Sequence, residues 1–432
     1  MRKDIPSAFC TYALPQMLGL LFNSVYFIVD GVFIGNRLGT DAMAAAGVAV
    51  PILEFLIAVS MAITAGCGVM VSISLAEDRR AEANRWSMHA LLLALIIGIL
   101  LAVSGSIFMQ PLTTMLGSTP AIRQDVHAYL SIILSMSPFM ILSFLLGGLV
   151  RNDGHPVHAM AALTIGSLSN IFLDWLFMYP CSMGISGAAL ATALGPLLSD
   201  IILLPHFLFR RGSLRFTSFR PQIRTFGRIL LLGLPAFIME FTIGMVTFIT
   251  NTSIGVLGMG ETGLAAYLLI GYLMLIILTL YLGMAEGLQP VFSAMKGSHD
   301  TEGLRSLLRF SMAVFCLTGL ICYLLVYFFS DRFYAMFTAG DTALLTFTAG
   351  HSRAYFSGFI FAGINILLIS YWQATKKTAR GMTAALLRSA ILPPVFILLI
   401  PMFAGEDFFW YGHSVAETIT AGIALHMLRR TR

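Results

Sequence analysis

The chain has 432 residues, of which 58% are hydrophobic and only 11% charged. An ordinary soluble domain is about 45–50% apolar and about 25% charged, so a soluble globular enzyme is excluded. The formal net charge of +5 raises the nucleic-acid class, which the placement of the bases along the chain then removes.

The amino terminus is basic from Met1 to Lys3, and no small-residue cleavage site follows its first apolar stretch. That stretch is expected to stay as a membrane span rather than leave as a signal peptide. At about 36 residues for one span plus one connection, the length accommodates about twelve spans. Apolar runs broken by short polar segments place them near 8–34, 43–73, 86–109, 125–150, 158–180, 186–209, 228–256, 264–295, 307–330, 343–373, 381–403 and 408–428. Pro15, Pro51, Pro138, Pro196, Pro235 and Pro290 lie inside or near the ends of these spans. Each is expected to bend its helix, with neighbouring groups satisfying the carbonyl it frees. Cys10, Cys67, Cys181, Cys316 and Cys322 are scattered and show no CxxC or Cys/His spacing. They read as packed free thiols, not as a disulfide framework or a zinc site.

All but four of the 26 lysines and arginines fall in or beside alternate connections, beginning with the amino terminus; the exceptions are Arg37, Arg123, Arg332 and Arg353. Such asymmetry sets both termini in the cytoplasm and requires an even number of spans. It also spreads the bases over every cytoplasmic loop, which does not suit nucleic acid. The densest group, Arg210, Arg211, Arg215, Arg220, Arg224 and Arg228, alternates with Phe209, Phe216, Phe219 and Phe226. That pattern suits a linker lying against anionic lipid. It divides the chain into residues 1–210, a linker 211–227, and residues 228–432. A shift of 220 superposes Leu14-Pro15 on Leu234-Pro235, Ile34-Gly35 on Ile254-Gly255, and Ala45-Ala46 on Ala265-Ala266. With six spans each, the halves enter the membrane in the same sense, related by a pseudo-two-fold axis along its normal. The fold expected is an all-α polytopic membrane protein of twelve helices in two six-helix lobes, and a two-lobed transporter is its natural use.

Ionisable groups inside a bilayer cost about 2.5–3.5 kcal/mol each on insertion scales, so those that occur are functional candidates. The acids here are Asp30, Glu54, Asp174 and Asp200 in the first half, and Glu240, Glu286 and Glu417 in the second. A carboxyl in a low-dielectric cavity can load and release a proton in the physiological range. Once ionised, it attracts a cationic substrate or sodium instead, so proton and substrate compete for one charge. Asn23, Ser24 and Tyr26 accompany Asp30, and Asn170 lies one helical turn before Asp174 on the same face. Glu54 follows Pro51 closely and serves equally well as a helix-end partner. Glu286 and Glu417 fall near membrane boundaries, where reaching water costs little. No GxxxxGKS/T phosphate loop, haem, flavin or triad pattern occurs. Direct ATP drive is therefore unsupported, and neither a cofactor nor an enzymatic reaction is expected.

The segment LVRNDGHPVHAMAALTIGSLSNIFLDWLFMYPCSMGISGAALATAL, from Leu149 to Leu194, resembles the fourth-to-sixth-span signature of MATE (multidrug and toxic compound extrusion) transporters. The runs ALPQMLGLLFNSVYFIVDGVFIGNRLG, GMAEGLQPVFSAMKG and YWQATKKTARGMTAALLRSAILPP are similar to other parts of that family. The resemblance covers nearly the whole chain and is nearest to the bacterial MepA-like and DinF-like side of this branch of the MOP flippase superfamily. It implies a central cleft and ion-coupled export of amphipathic, mostly cationic compounds from a bacterial inner membrane by a chain acting as a monomer.

The same resemblance assigns ion coupling to Asp30 and Asp174, with Asn170 as companion, and makes these three the place for sodium if sodium replaces the proton. Glu286 matches the family's eighth-helix acid and joins Glu54, Asp30 and Asp174 as substrate-binding residues. Glu240, Asp200 and Glu417 rank behind them. The tenth-span stretch GFIFAGINILLISYW lacks the acid of sodium-coupled members, which favours proton exchange. The rival readings are a lipid-linked oligosaccharide flippase, for which intramembrane bases (Arg353 and Arg388) are scarce, and a channel or membrane receptor.

Overall fold

The computed structural model describes residues 9, 13, 17, 21, 28–375 and 377–429. Asn23, Ser24, Tyr26 and Pro15 lie outside them. The described residues are helical apart from short turns and the 209–222 connection. Eight helices are long and apolar enough to cross a membrane, and two bent pairs raise the number of such spans to ten. The helical residues 28–38 and the helix Gly412–Arg429 occupy the expected first and last positions. The chain forms two compact units, one of residues 33–251 and one of Thr252 onward together with the residues up to Val32.

In the 33–251 unit the core is built from one stripe of each of several helices. Val59, Ile63, Cys67 and Val71 of Thr40–Ala76 meet Trp86, Ala90 and Leu93 of Arg80–Ile107, and Ile141, Leu145 and Leu149 of Ser137–Asn152. The opposite stripe of Arg80–Ile107, with Ile99, Leu100, Val103 and Ile107, is exposed, as a face turned to lipid tails should be. The helix Ile223–Val256 runs along Thr40–Ala76. Asn251 Nδ2 donates to Gly47 O at 3.0 Å, and glycines set the approach further along. A Cβ on Gly233 would run into Ala62 O, and one on Gly66 into Ile229 O and to 2.9 Å from Gly233 N. These obstacles are backbone atoms, which cannot swing aside. Gly66→Ala is therefore expected to lower stability by about 1–3 kcal/mol, the usual cost of overpacking. A thermal midpoint in detergent equal to that of the parent would show that the two helices separate without loss.

The bend expected at Pro138 is present: Arg123–Ser135 and Ser137–Asn152 meet at 49°. Proline has no N–H for the carbonyl of Leu134, one turn earlier, and Ser137 Oγ donates to that oxygen instead at 2.7 Å. A second bend, 47° between Thr342–Phe356 and Phe359–Ala374, has no proline. There Ser414 Oγ enters the break, accepting from Gly358 N at 2.8 Å and donating to Tyr355 O at 2.6 Å. A Cβ on Gly358 would clash with the Ser414 backbone.

The 209–222 connection is seated on the 33–251 unit. Arg215 N donates to Asn84 Oδ1 at 2.7 Å, and Gln222 N to His89 Nε2 at 3.2 Å. Phe219 and Phe226 pack on the His89 ring, while all six arginines from Arg210 to Arg228 stay exposed. Phe219 and Phe226 thus anchor the segment, while Phe209 is exposed and the bases are left to solvent or headgroups.

Candidate functional site

The sequence candidates fall into separate groups. In the 33–251 unit, helices Pro156–Met178 and Ile185–Leu208 pack through a seam of small residues one turn apart. Ser199 Oγ donates to Ala162 O at 3.0 Å. A Cβ on Gly166 would clash with Ser199 Oγ, and one on Gly195 would lie 3.1 Å from Gly166 O and 3.7 Å from Asn170 Cβ. Ala162, Gly166, Asn170 and Asp174 follow one another at four-residue intervals, so the polar pair continues the seam that the small residues begin. Asn170 is 5% exposed and Asp174 fully buried. Asp200, next to Ser199, is buried as well, and neither of its carboxylate oxygens has a hydrogen-bond partner among the described residues.

Glu54 and Glu240 make a second group in the same unit. Gly244, one turn after Glu240, lets the helices come so close that a Cβ there would lie 2.9 Å from Glu54 Cβ. Both acids are half-buried, and Glu240 is near enough to Glu54 to repel its charge. Beside them Phe237 and Phe241 stack at 5.3 Å, and Phe55 meets both edge-on at 6.3 and 6.2 Å. Carboxylates and aromatic rings on the same stretch of two helices are the kinds of group from which a site for an organic cation is built. Sequence reasoning treated these acids one by one; the glycine one turn from Glu240 is the signal that could have paired them.

In the other unit Asp30 is half-buried, Glu286 is exposed on the long helix Gly260–Gly297, and Glu417 is 1% exposed. Glu417, expected near a boundary with access to water, is instead enclosed. Arg388 Nε lies 2.8 Å from its Oε1, Asn365 Nδ2 donates to its Oε2 at 2.7 Å, and His413 Nε2 is 3.8 Å from Oε1. Arg388 comes from a π-helical turn, Leu387–Ile391, just ahead of the Pro393-Pro394 pair. The Arg388 guanidinium, whose Nε donates to Oε2 at 3.1 Å, and the Asn365 amide offset a charge that the span could not otherwise carry.

The MatE family model matches residues 15–176 and again 235–399. The chain belongs to the MatE family. The two matches begin 220 residues apart, the shift that superposes the two Leu-Pro pairs. A relative in Staphylococcus saprophyticus, "Multidrug export protein MepA", is 22% identical over 96% of this chain and 91% of its own length. Among solved structures, the inward-facing conformation of a multidrug resistance MATE family transporter of the MOP superfamily has a TM-score of 0.87 at 19% identity, over 96% of this chain and 97% of that one. A MOP superfamily transporter from Pyrococcus furiosus, titled for the reverse polarity of its binding pocket, has a TM-score of 0.73 at 20% identity, over 100% and 96%. The fold is accordingly that of the MATE transporters, twelve helices in two lobes, in a multi-pass membrane protein. Members of this family are transport proteins, not enzymes.

Proposed function

We propose that this chain exports amphipathic, mostly cationic drugs from the cytoplasm in exchange for protons, by alternating access. The observation that carries the reading is the Asn170–Asp174 pair, buried at the end of a small-residue seam in a transporter of this family. A buried carboxyl next to an amide is favoured neutral when its surroundings are dry and ionised when they are wet. A change of access between the two sides of the membrane would thus change its proton affinity, which is what coupling requires. Asp30 is the second coupling residue, and Glu54, Glu240 and Glu286 supply negative charge to the cargo. The twofold match to one family model and the whole-length similarity to a multidrug export protein support export as the direction and drugs as the cargo. The excess of bases on alternate connections supports cytoplasmic termini in a bacterial inner membrane, with the exposed arginines of 210–228 facing anionic lipid. The protein works as a monomer.

Reconstituted vesicles test the reading. Uphill movement of ethidium is expected under an imposed pH gradient, with loss on addition of an uncoupler. Drive by an imposed sodium gradient alone would replace the proton by sodium. Passive ion conductance would make the protein a channel, and transfer of a lipid-linked saccharide without cation movement would make it a flippase.

Glu286 separates recognition from coupling. Its exposed carboxylate favours cations at a wet mouth, where added salt screens the attraction. Glu286→Gln is expected to weaken binding of a cationic dye about three- to tenfold, the range of about 0.7–1.4 kcal/mol, and to leave a matched neutral dye unchanged. Equal losses for both dyes would make Glu286 a support for its helix.

A further inference from the structure

A cluster of histidines and one aspartate lies away from the acids discussed above, where three segments of the 33–251 unit converge. Asp153 follows the helix Ser137–Asn152, His155 immediately precedes Pro156–Met178, and His206 lies in the last turn of Ile185–Leu208. One ligating atom from each lies within 4.8 Å of the others. Asp153 Oδ2 is 2.8 Å from His206 Nε2, and both side chains are 1% exposed. Asp153 also accepts from the linker, Ser213 N to Oδ1 at 2.9 Å and Leu214 N to Oδ2 at 3.1 Å. The His155 ring is exposed and stands edge-on to His206, with centroids 4.8 Å apart. His158, one turn into the next helix, lies with its ring 6.2 Å from that of His206. Its Nε2 is buried and without a hydrogen-bond partner among the described residues.

We propose that Asp153, His155 and His206, with His158 as the fourth donor, bind a divalent transition-metal ion of the zinc type. Three imidazoles and one carboxylate are a borderline-soft set. They suit zinc, cobalt or nickel rather than calcium or magnesium, which take oxygen ligands. Zinc bonds of about 2.0–2.1 Å put ligand atoms of a tetrahedral site about 3.3 Å apart. The Asp153–His206 pair is already slightly inside that spacing. His155, the exposed member, can close the remaining gap by rotation of its side chain, and its exposure gives the ion a way in. The two backbone N–H bonds to Asp153 hold the carboxylate in place, the outer-shell support that metal sites ordinarily have. A bound ion would join the 153–155 turn, the end of Ile185–Leu208 and the linker, three pieces that no continuous sequence motif connects. The chemistry involves no transport step, so it stands or falls apart from the proposed export.

Tag-free, full-length protein in detergent, stripped with chelator, is titrated with Co²⁺ and the visible d–d absorption followed. Zn²⁺ is then added in competition. One tetrahedral Co²⁺ per chain, displaced by Zn²⁺, with a rise in thermal midpoint on Zn²⁺ addition, is expected. His155→Ala and His158→Ala leave the Asp153–His206 contact in place, and each is expected to weaken binding at least tenfold with an unchanged midpoint in chelator. Absence of the d–d band, or equal affinity in parent and both variants, would overturn the site and leave Asp153–His206 as a hydrogen-bonded clasp on the linker.

Discussion

Asp174→Asn is expected to express and fold like the parent and to lose pH-driven efflux at least about tenfold. Asparagine has the shape of a protonated aspartic acid, but it cannot release the proton. Burying a neutral amide costs less than burying a carboxylate, so the helix seam around Gly166 and Gly195 should tolerate the change. Coupling needs a proton affinity that differs between the two access states, and a difference of one pKa unit is worth about 1.4 kcal/mol, a factor of ten. Removing the titrating group removes all of that difference, which sets the lower bound on the effect. Asp174→Glu, which keeps the group but displaces it by a methylene, should retain part of the activity. Ethidium efflux from vesicles under a fixed pH gradient provides the measurement, with dye binding at equilibrium as a control for folding. A normal rate for Asp174→Asn would remove this residue from coupling and move attention to Asp200, a buried acid whose two oxygens have no hydrogen-bond partner among the described residues.

What the sequence makes legible follows the range of the interaction involved. Spans are local: an apolar run of about 20 residues announces itself, and from Thr40 onward the described helices begin and end within about six residues of the expected limits. The bend at Pro138 is local too, because the missing N–H and the serine that replaces it are neighbours. The 47° bend at Ser357–Gly358 depends on Ser414, 56 residues away, and no pattern around position 358 signals it. The same holds for the charges. Asn170 and Asp174 share a turn and can be paired from spacing alone. Glu54 and Glu240 meet across two helices, Glu417 and Arg388 across two others, and Asp153 and His206 across 53 residues. A buried acid is visible in a sequence; the base or amide that makes its burial tolerable is not. Glu417 is the plainest case, since its place in the sequence suggests a boundary and its partners enclose it.

That enclosure gives the largest stability effect expected in the molecule. Glu417→Gln keeps the shape and the bond from Asn365, but leaves the Arg388 guanidinium, with a side chain 16% exposed, without its counter-charge. Breaking one side of a buried ion pair costs about 3–5 kcal/mol, because the remaining charge stays desolvated and unpaired. The thermal midpoint in detergent should fall clearly for Glu417→Gln and for Arg388→Met alone. The double variant should recover much of the loss, since two neutral side chains of similar size need no counter-charge. Arg353 provides the contrast: its pairing with Asp331, at 3.7 Å with side chains 41% and 57% exposed, sits in screened surroundings. Arg353→Met should therefore change stability by no more than about 1 kcal/mol. The cycle also decides what the Glu417 charge is for. Recovery of stability in the double variant together with normal efflux makes the pair a structural lock of the tenth, eleventh and twelfth spans. Recovered stability with efflux still lost would make Glu417 an ion-coupling residue of the second unit, held by Arg388 in one access state and released in the other.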